Sequence, residues 1–558
     1  MLDQVLQFDT DFNKDHRLTV LAGMNFTRHT NHSKDMGSQR ATNDYIYTID
    51  ETPTTTIDGR LVSNVGDFAT RLGETRSASL FGQFAYDYQG KYMFGGSLRY
   101  DGFSNFAPER KYALFPSLSA GWNIDRENFW VRNRAVSSLK LRASWGVAGM
   151  NDIGITDTYG EYSAVAYGTY AGIVRTGLAN PRLTWESTVT TDIALEVGLL
   201  DNRINVAVDV YDKLTKDRLT TMPLPSESPF TSIMTNNGAL RNRGIEVAIG
   251  ANIIKRNAFN WHTNFTFAFN RTTITELPGN GRARNRQGGD LVFDKVSGQM
   301  VEAGGLAEGE RPFAIYAFNV LGVFATDEEA AAWNSRIKDN LASTEGQRVG
   351  KRGGDFIFED VNNDGVIDMK DQVFMGYRNP DKIGGIQNTF TYKGFSLRVN
   401  ADYALGHIIS NGALARSMGQ GRAFNEGAPT QALADNVWKN QGDAGKKYAR
   451  FSFADYDFGQ RQYLRNGSLG NNSSYNSDVS VMFEKGDFLA LREITLSYDF
   501  PSAWVKKIRS NGVNVYASVY NVAYLTAYKG LNPEIYSGFD PGGYPRPRQF
   551  SVGANMRF

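Results

Sequence analysis

A chain of 558 residues with 41% hydrophobic residues, a net charge of +1 and no cysteine has room for one large closed sheet or several small domains. It has no disulfide framework, thiolate metal site or cysteine nucleophile, and no clustered basic surface of the kind that nucleic-acid binding needs. No apolar run of about 18 residues occurs, which excludes transmembrane helices but not a barrel, where only every second strand residue need be apolar.

The first residues, Met1 to Phe8, lack the basic start and apolar core of a signal peptide. Val5 to Asp11 already reads as a strand, joined through Asn13-Lys14-Asp15 to a second at Arg17 to Asn25. An exported barrel needs a signal, so the sequence is expected to start inside a barrel as an amino-terminally truncated fragment.

Thr75 to Val147 carries the strongest pattern. Leu80, Gly82, Phe84, Tyr86 and Tyr88 form one alternating row, and across Gln89-Gly90 follow Tyr92, Phe94, Gly96, Leu98 and Tyr100, with Ser79, Gln83, Asp87, Ser97, Arg99 and Asp101 between them. Tyr112, Leu114, Pro116, Leu118, Ala120, Trp122 and Ile124 repeat it, as do Leu139, Leu141, Ala143, Trp145 and Val147. Period two over ten residues is a strand pattern. At a tilt of ~40° such a strand spans about 20 Å, close to the ~25 Å apolar band of an outer-membrane barrel, and its rows end in Tyr or Trp like the aromatic girdles there. A large soluble β-sandwich or propeller also alternates, but with shorter strands and without aromatic margins. The reading is an all-β, antiparallel transmembrane β-barrel of about sixteen strands, extending over 1–558.

Connections alternate between tight turns, such as Gln89-Gly90, Asp201-Asn202-Arg203 and Lys393-Gly394, and long polar stretches near 27–74, 149–183, 215–240, 270–383, 411–483 and 526–545. That asymmetry predicts a rim of turns and a rim of outer loops. Ile193 to Leu199, Ile204 to Val210, Ile245 to Ile253, Phe259 to Phe269 and Phe395 to Tyr403 keep the alternation. Thr326-Asp327-Glu328-Glu329 is a capping box before Ala330 to Trp333, predicting a helix within a loop. The sequence closes on Phe550, Val552, Ala554, Met556 and Phe558, fitting a last barrel strand.

Arg99-Tyr100-Asp101-Gly102 with Phe115-Pro116-Ser117, Leu139-Lys140-Leu141-Arg142, Leu183-Thr184-Trp185-Glu186, Asn237-Gly238 with Asn242-Arg243-Gly244-Ile245-Glu246, Gly486-Asp487-Phe488-Leu489, Ile494-Thr495-Leu496, Tyr520-Asn521 and Gly543-Tyr544-Pro545 follow one another in order. In these the chain resembles the SusC/RagA class of TonB-dependent outer-membrane transporters. The resemblance covers essentially the whole sequence and looks like the carboxy-terminal half or slightly more of a member. It implies part of a twenty-two-stranded barrel with the plug domain absent, import of an oligosaccharide or peptide driven by TonB through the missing amino-terminal region, and a SusD-like surface lipoprotein as lid. The alternative is a passive porin-like outer-membrane channel, against which the long loops and missing export signal count. An adhesin or enzyme would need a ligand or catalytic cluster, and none is found.

Asp360, Asn362, Asp364, Gly365, Val366, Asp368 and Asp371 fall at the spacing of an EF-hand-type loop, where hard oxygens surround Ca²⁺ and Gly permits the sharp turn. Structural Ca²⁺ is one expectation and a plain Asn-Asp-Gly turn the other. His29 and His32 have no third ligand and read as solvated. Lys140, Arg142, Asp192, Glu196 and Arg398 are expected to line a wet lumen; Tyr162, Tyr167, Trp438, Tyr448 and Tyr463 either stack on sugars or pack the loops.

Overall fold

The computed structural model describes residues 1–38, 55–57, 60–62, 65–131, 133–167, 170–339, 343–344, 347–348, 350–417, 431–450 and 479–558. Fifteen long strands lie in one sheet in chain order. They are β1 (Leu2–Phe12), β2 (His16–Ser38), β3 (Val65–Tyr88), β4 (Tyr92–Phe103), β5 (Tyr112–Asn123), β6 (Val136–Met150), β7 (Glu186–Leu199) and β8 (Ile204–Lys216). The remainder are β9 (Ala239–Lys255), β10 (Phe259–Glu276), β11 (Lys382–Tyr392), β12 (Phe395–Leu405), β13 (Phe488–Asp499), β14 (Gly512–Thr526) and β15 (Gln549–Arg557). The expectation of about sixteen strands thus compares with fifteen in this sheet among the described residues.

The chain divides into two compact units. The first, Met1–Trp122 with Ala143–Thr191 and Thr215–Gly238, carries the antiparallel run from β1 to β5. Its register puts the expected apolar rows on one face, with Leu80 opposite Tyr100, Phe84 opposite Gly96, Tyr88 opposite Tyr92 and Tyr92 opposite Trp122. Leu80, Phe84, Phe94, Leu98, Leu114 and Leu118 are all exposed, which on a sheet this wide marks a lipid-facing surface. The opposite face is polar: Ser97 and Ser117 hydroxyls bond at 2.7 Å, and Arg99 bonds Asp101 at 2.8 Å and Ser79 at 2.9 Å. Glycine is required where the turn of Gln89 and Gly90 takes φ of 53° and 63°, the two left-handed positions of a type I′ hairpin. At Gly96 a Cβ would lie 2.5 Å from the Phe84 ring, so the ring covers the strand there.

The alternation sets a direct expectation for β5. Single cysteines at positions 117 and 119 should react with a water-soluble thiol reagent, while those at 118 and 120 in the same membrane-embedded protein should not. Equal labelling on both faces would sink the membrane reading.

Above this sheet the first unit is not loop-like in the way expected. β2 and β3 stay paired well past Thr27, with His29 opposite Thr75 and His32 opposite Leu72. The polar residues on both faces of that extension hid it from a periodicity search. Hairpins at 161–177 and 219–236 and a short helix at Ile155–Tyr159 also occupy expected loops. Phe106, Phe115, Ile153, Leu183 and Trp185 form a buried cluster there, with the Trp185 indole N–H donating to the Lys111 carbonyl at 3.1 Å.

The second unit, Asn123–Arg142 with Asp192–Leu214 and Ala239–Phe558, carries the antiparallel run from β9 to β15. Its long connections build a core of their own from Phe318, Phe324, Trp333, Phe356, Phe358, Ile367, Trp438 and Met482 among others. The helix expected after Thr326 is present at Asp327–Asn334, capped by Thr326 accepting from the Glu329 N–H at 3.2 Å, while Glu329 accepts from the Ala325 N–H at 2.8 Å. It sits in a loop as anticipated, yet Ala330 and Trp333 are buried in that loop core.

Candidate functional site

Three places in the second unit gather polar chemistry. The first is the inner face of the strands. Arg142 bonds Glu196 at 2.5 Å and Asp209 at 3.0 Å, and Asp212 binds both Arg241 and Arg243, the latter at 2.9 Å. All of these side chains are partly exposed, Arg243 most of all, so they line water rather than fill a core and contribute little to stability. Lys140 and Glu196 also line one concave stretch with Asp125, Arg126, Asn205 and Asn264. Of the five charges expected to face a lumen, the structure brings Arg142 and Glu196 together directly.

The second is the acidic loop. Asp360 accepts from the N–H of Asp364 (3.2 Å) and Gly365 (2.8 Å), Asn362 from Asp364 N–H (3.0 Å), and Asp364 from Val366 N–H (2.8 Å). Asn363 and Gly365 take positive φ of 58° and 77°, the sharp bend that the Asn-Asp-Gly sequence permits. Asp368 caps the short 3-10 turn at Met369–Asp371 and bonds the Lys370 ammonium at 2.9 Å. Asp371 is fully buried, accepting N–H bonds from Val361 and Asp368, both at 2.8 Å. Burial, with Asp360 and Asp368 adding repulsion and those two N–H bonds opposing, pushes its carboxyl up to about 6. Among the described residues no group of three or more His, Cys, Asp or Glu side chains is gathered to hold a metal ion. A cation here would have to draw Asp360, Asp364 and Asp368 inward in exchange for their bonds to the loop backbone. His29 and His32 likewise belong to no such group.

The third place was not found by sequence reasoning. The ladder slips between Leu491 and Glu493 on β13 and between Asn400 and Ala401 on β12. The displaced Arg492 makes a two-pronged ion pair with Asp402, one bond at 2.7 Å, and a further bond to Glu534 on the connection between β14 and β15. Tyr524 donates to Glu534, and Arg546 binds its other oxygen at 2.8 Å. Burial alone would raise the Glu534 carboxyl, but the bonds from Arg492 and Tyr524 outweigh it and hold it below the ordinary glutamate value. The same connection is pinned by Tyr528 donating to buried Asp540 at 2.6 Å and by Phe539–Asp540 pairing alongside Ile408–Asn411. The available sign was the pair Arg492-Glu493 interrupting an alternating strand, which is how a bulge reads.

Among the loop aromatics, Trp438 and Tyr448 are buried in the loop core and Tyr162 is exposed. Tyr463 and the side chain of Tyr167 lie outside the described residues.

An outward apolar sheet face with aromatic margins, an ion-paired inner face and long structured connections on one rim define an outer-membrane β-barrel of the receptor class. The model of the family described as "TonB dependent receptor-like, beta-barrel" matches residues 2–305, and the chain belongs to this family, which places it in the outer membrane. TonB-dependent receptor P39 of Formosa agariphila is 29% identical over 100% of this chain and 52% of its own length. TonB-dependent receptor SusC of Bacteroides thetaiotaomicron is 29% identical over 86% of this chain and 43% of its own. The chain spans about half the length of the curated relatives it matches. The RagAB peptide transporter shares the fold at a TM-score of 0.74 and 20% identity, over 99% of this chain and 55% of that one. The SusC/RagA resemblance read from the motifs is thereby borne out.

Proposed function

We propose that the chain serves TonB-powered import of a bulky nutrient, an oligosaccharide or peptide, in concert with a SusD-like surface lipoprotein. The observation that carries this is the family match together with alignment along nearly the whole chain to receptors named for TonB dependence. RagAB is a peptide transporter, which supports the peptide option through the shared fold, and the SusC relative supports kinship with the same class. A rigid, wet inner wall is compatible with passage of a polar solute, and a folded outer module offers a lipoprotein a firm surface. In a host carrying the parent protein, deletion of TonB should abolish uptake of the cognate solute while the barrel stays in the membrane. Unchanged uptake would favour the passive channel.

We propose also that the loop of Asp360, Asn362, Asp364, the Val366 carbonyl, Asp368 and Asp371 takes a structural Ca²⁺. The reading is supported by the oxygen-only donor set and the preformed bend at Asn363 and Gly365. Comparable extracellular sites bind in the roughly 10⁻⁴ to 10⁻³ M range. Calcium should therefore protect the segment between Gly353 and Gly376 from protease, and the double change Asp360→Ala, Asp364→Ala should remove that protection without disturbing barrel assembly. Identical cleavage in calcium and in chelator would leave the segment a turn.

A further inference from the structure

The connection between β13 and β14 differs from the other tight-rim turns. Pro501 opens a short helix at Ser502–Val505, a 3-10 turn follows at Lys506–Ile508, and Arg509 ends it with a positive φ of 56°. Val505 and Ser510 are buried, holding the turn down, and every other side chain from Pro501 to Arg509 is exposed. Ser510 donates to the carbonyls of Gly512 and Arg557, and the Asn511 N–H donates to Arg557 at 2.6 Å. Those bonds set Arg557 next to the end of the turn. On the other side the Asp499 N–H bonds the Gly394 carbonyl at 2.9 Å, which brings the Lys393-Gly394 turn alongside.

Five cations belong to this corner by their chain positions: Lys506, Lys507 and Arg509 on the turn, Arg557 whose carbonyl is bonded at its end, and Lys393 on the neighbouring turn. Asp499 is the one carboxylate in segments 392–395 and 498–512, and its oxygen is taken by the Asn514 amide at 2.8 Å. Among the described residues none of the five makes an ion pair. Three cations within four residues, Lys506, Lys507 and Arg509, repel one another unless an anion joins them.

Beside the cations lies an apolar path. Phe395 on the outward face packs against Tyr498 at 4.5 Å between ring centres, Tyr498 against Phe500 at 5.0 Å, and Phe500 against Trp504 at 6.3 Å. Trp504 is 61% exposed and Ile508 54%, and both sit just beyond the strand ends, where the lipid-facing row runs out. An indole at that depth belongs in a headgroup zone, and short turns mark the periplasmic rim of such barrels.

We propose that this corner is a docking site for anionic glycerophospholipid of the periplasmic leaflet, Trp504 and Ile508 entering the acyl boundary while Lys506, Lys507 and Arg509 hold the phosphate. Aromatic contact and basic reach at one depth suit a two-part ligand, apolar below and anionic above, better than a free ion. A soluble polyanion would have no use for the exposed indole.

The test is lipid retention, read by native mass spectrometry on the parent protein reconstituted in phosphatidylethanolamine vesicles with and without phosphatidylglycerol. The unmodified protein should retain phosphatidylglycerol in preference to phosphatidylethanolamine, by roughly tenfold or more if each cation contributes as basic residues near anionic membranes do. Lys506→Gln with Lys507→Gln and Arg509→Gln should bring the two lipids level, and high salt should do so without any substitution. Trp504→Ala should lower retention of both lipids. Should the triple variant fail to assemble, as read by heat-modifiable gel mobility, the Lys506→Gln, Lys507→Gln pair and the salt series on unmodified protein carry the test. Equal retention by the unmodified protein, enrichment that survives the triple change, displacement by inorganic phosphate, or preference for lipid A over glycerophospholipid would each overturn the proposal.

Discussion

Phe356→Ala is expected to unfold the outer module of the second unit while leaving its strands in place. Phe356 is fully buried and meets Phe358 edge-on at 6.1 Å, and Phe358 meets Phe318 the same way at 6.1 Å. Beneath them the Lys351 ammonium lies 4.6 Å from the Phe358 ring and 3.4 Å from Asp339, both charges buried. Truncating a buried phenylalanine costs about 3–5 kcal/mol. A module of this size has a stability of the same order, and the loss also exposes the Lys351–Asp339 pair to rearrangement. Limited proteolysis should cut the 311–381 connection readily in the variant, while heat-modifiable gel mobility of the barrel is retained. Leu321→Ala, at an exposed position of the same module, should change nothing. Unaltered cleavage of the Phe356 variant would show that the module does not fold as a unit.

How legible these features were follows from where their residues come from. The rows of β3 to β5 were plain because lipid forces every second residue to be apolar, so a strand announces itself without knowledge of its partner. The upper pairing of β2 with β3 gave no such sign, since water bathes both faces there and polar residues alternate with polar residues. The module core was hidden for a different reason. Its side chains come from 318–367, 437–449 and 479–482, each piece too short to show a period, and only the capping box at Thr326 marked an element within it. Trp438 and Tyr448 consequently stood as equal candidates for sugar stacking and for packing, and their burial decides for packing. The motif Leu183-Thr184-Trp185-Glu186 was recognisable as a pattern, but its physical role appears only in three dimensions: Leu183 and Trp185 fill the first unit's upper cluster, and Glu186 accepts the Leu219 N–H at 3.1 Å.

Cutting the Arg492 junction should loosen the connection between β14 and β15 by about 30-fold, the population change that accompanies about 2 kcal/mol. The figure lies below the usual 3–5 kcal/mol for breaking a buried ion pair because Arg492 and Asp402 keep water contact while Glu534 does not. In Arg492→Gln the Glu534 carboxylate retains Arg546 and Tyr524, and Asp402 loses its two-pronged partner. In Glu534→Gln the charge balance at Arg492 rests on Asp402 alone. Each single change should raise amide exchange across the connection and tryptic cleavage at Lys529 and Arg548, leaving exchange in β13 and β14 below the bulge unchanged. The double change should cost much less than the sum of the two, since both remove the same contact. Arg546→Gln should do little, because that side chain is about half exposed. Strictly additive costs, or exchange in 527–548 that ignores Arg492, would mean that the buried Tyr528–Asp540 bond and the Phe539–Asp540 strand hold the connection, and that the bulge serves only to relieve the ladder.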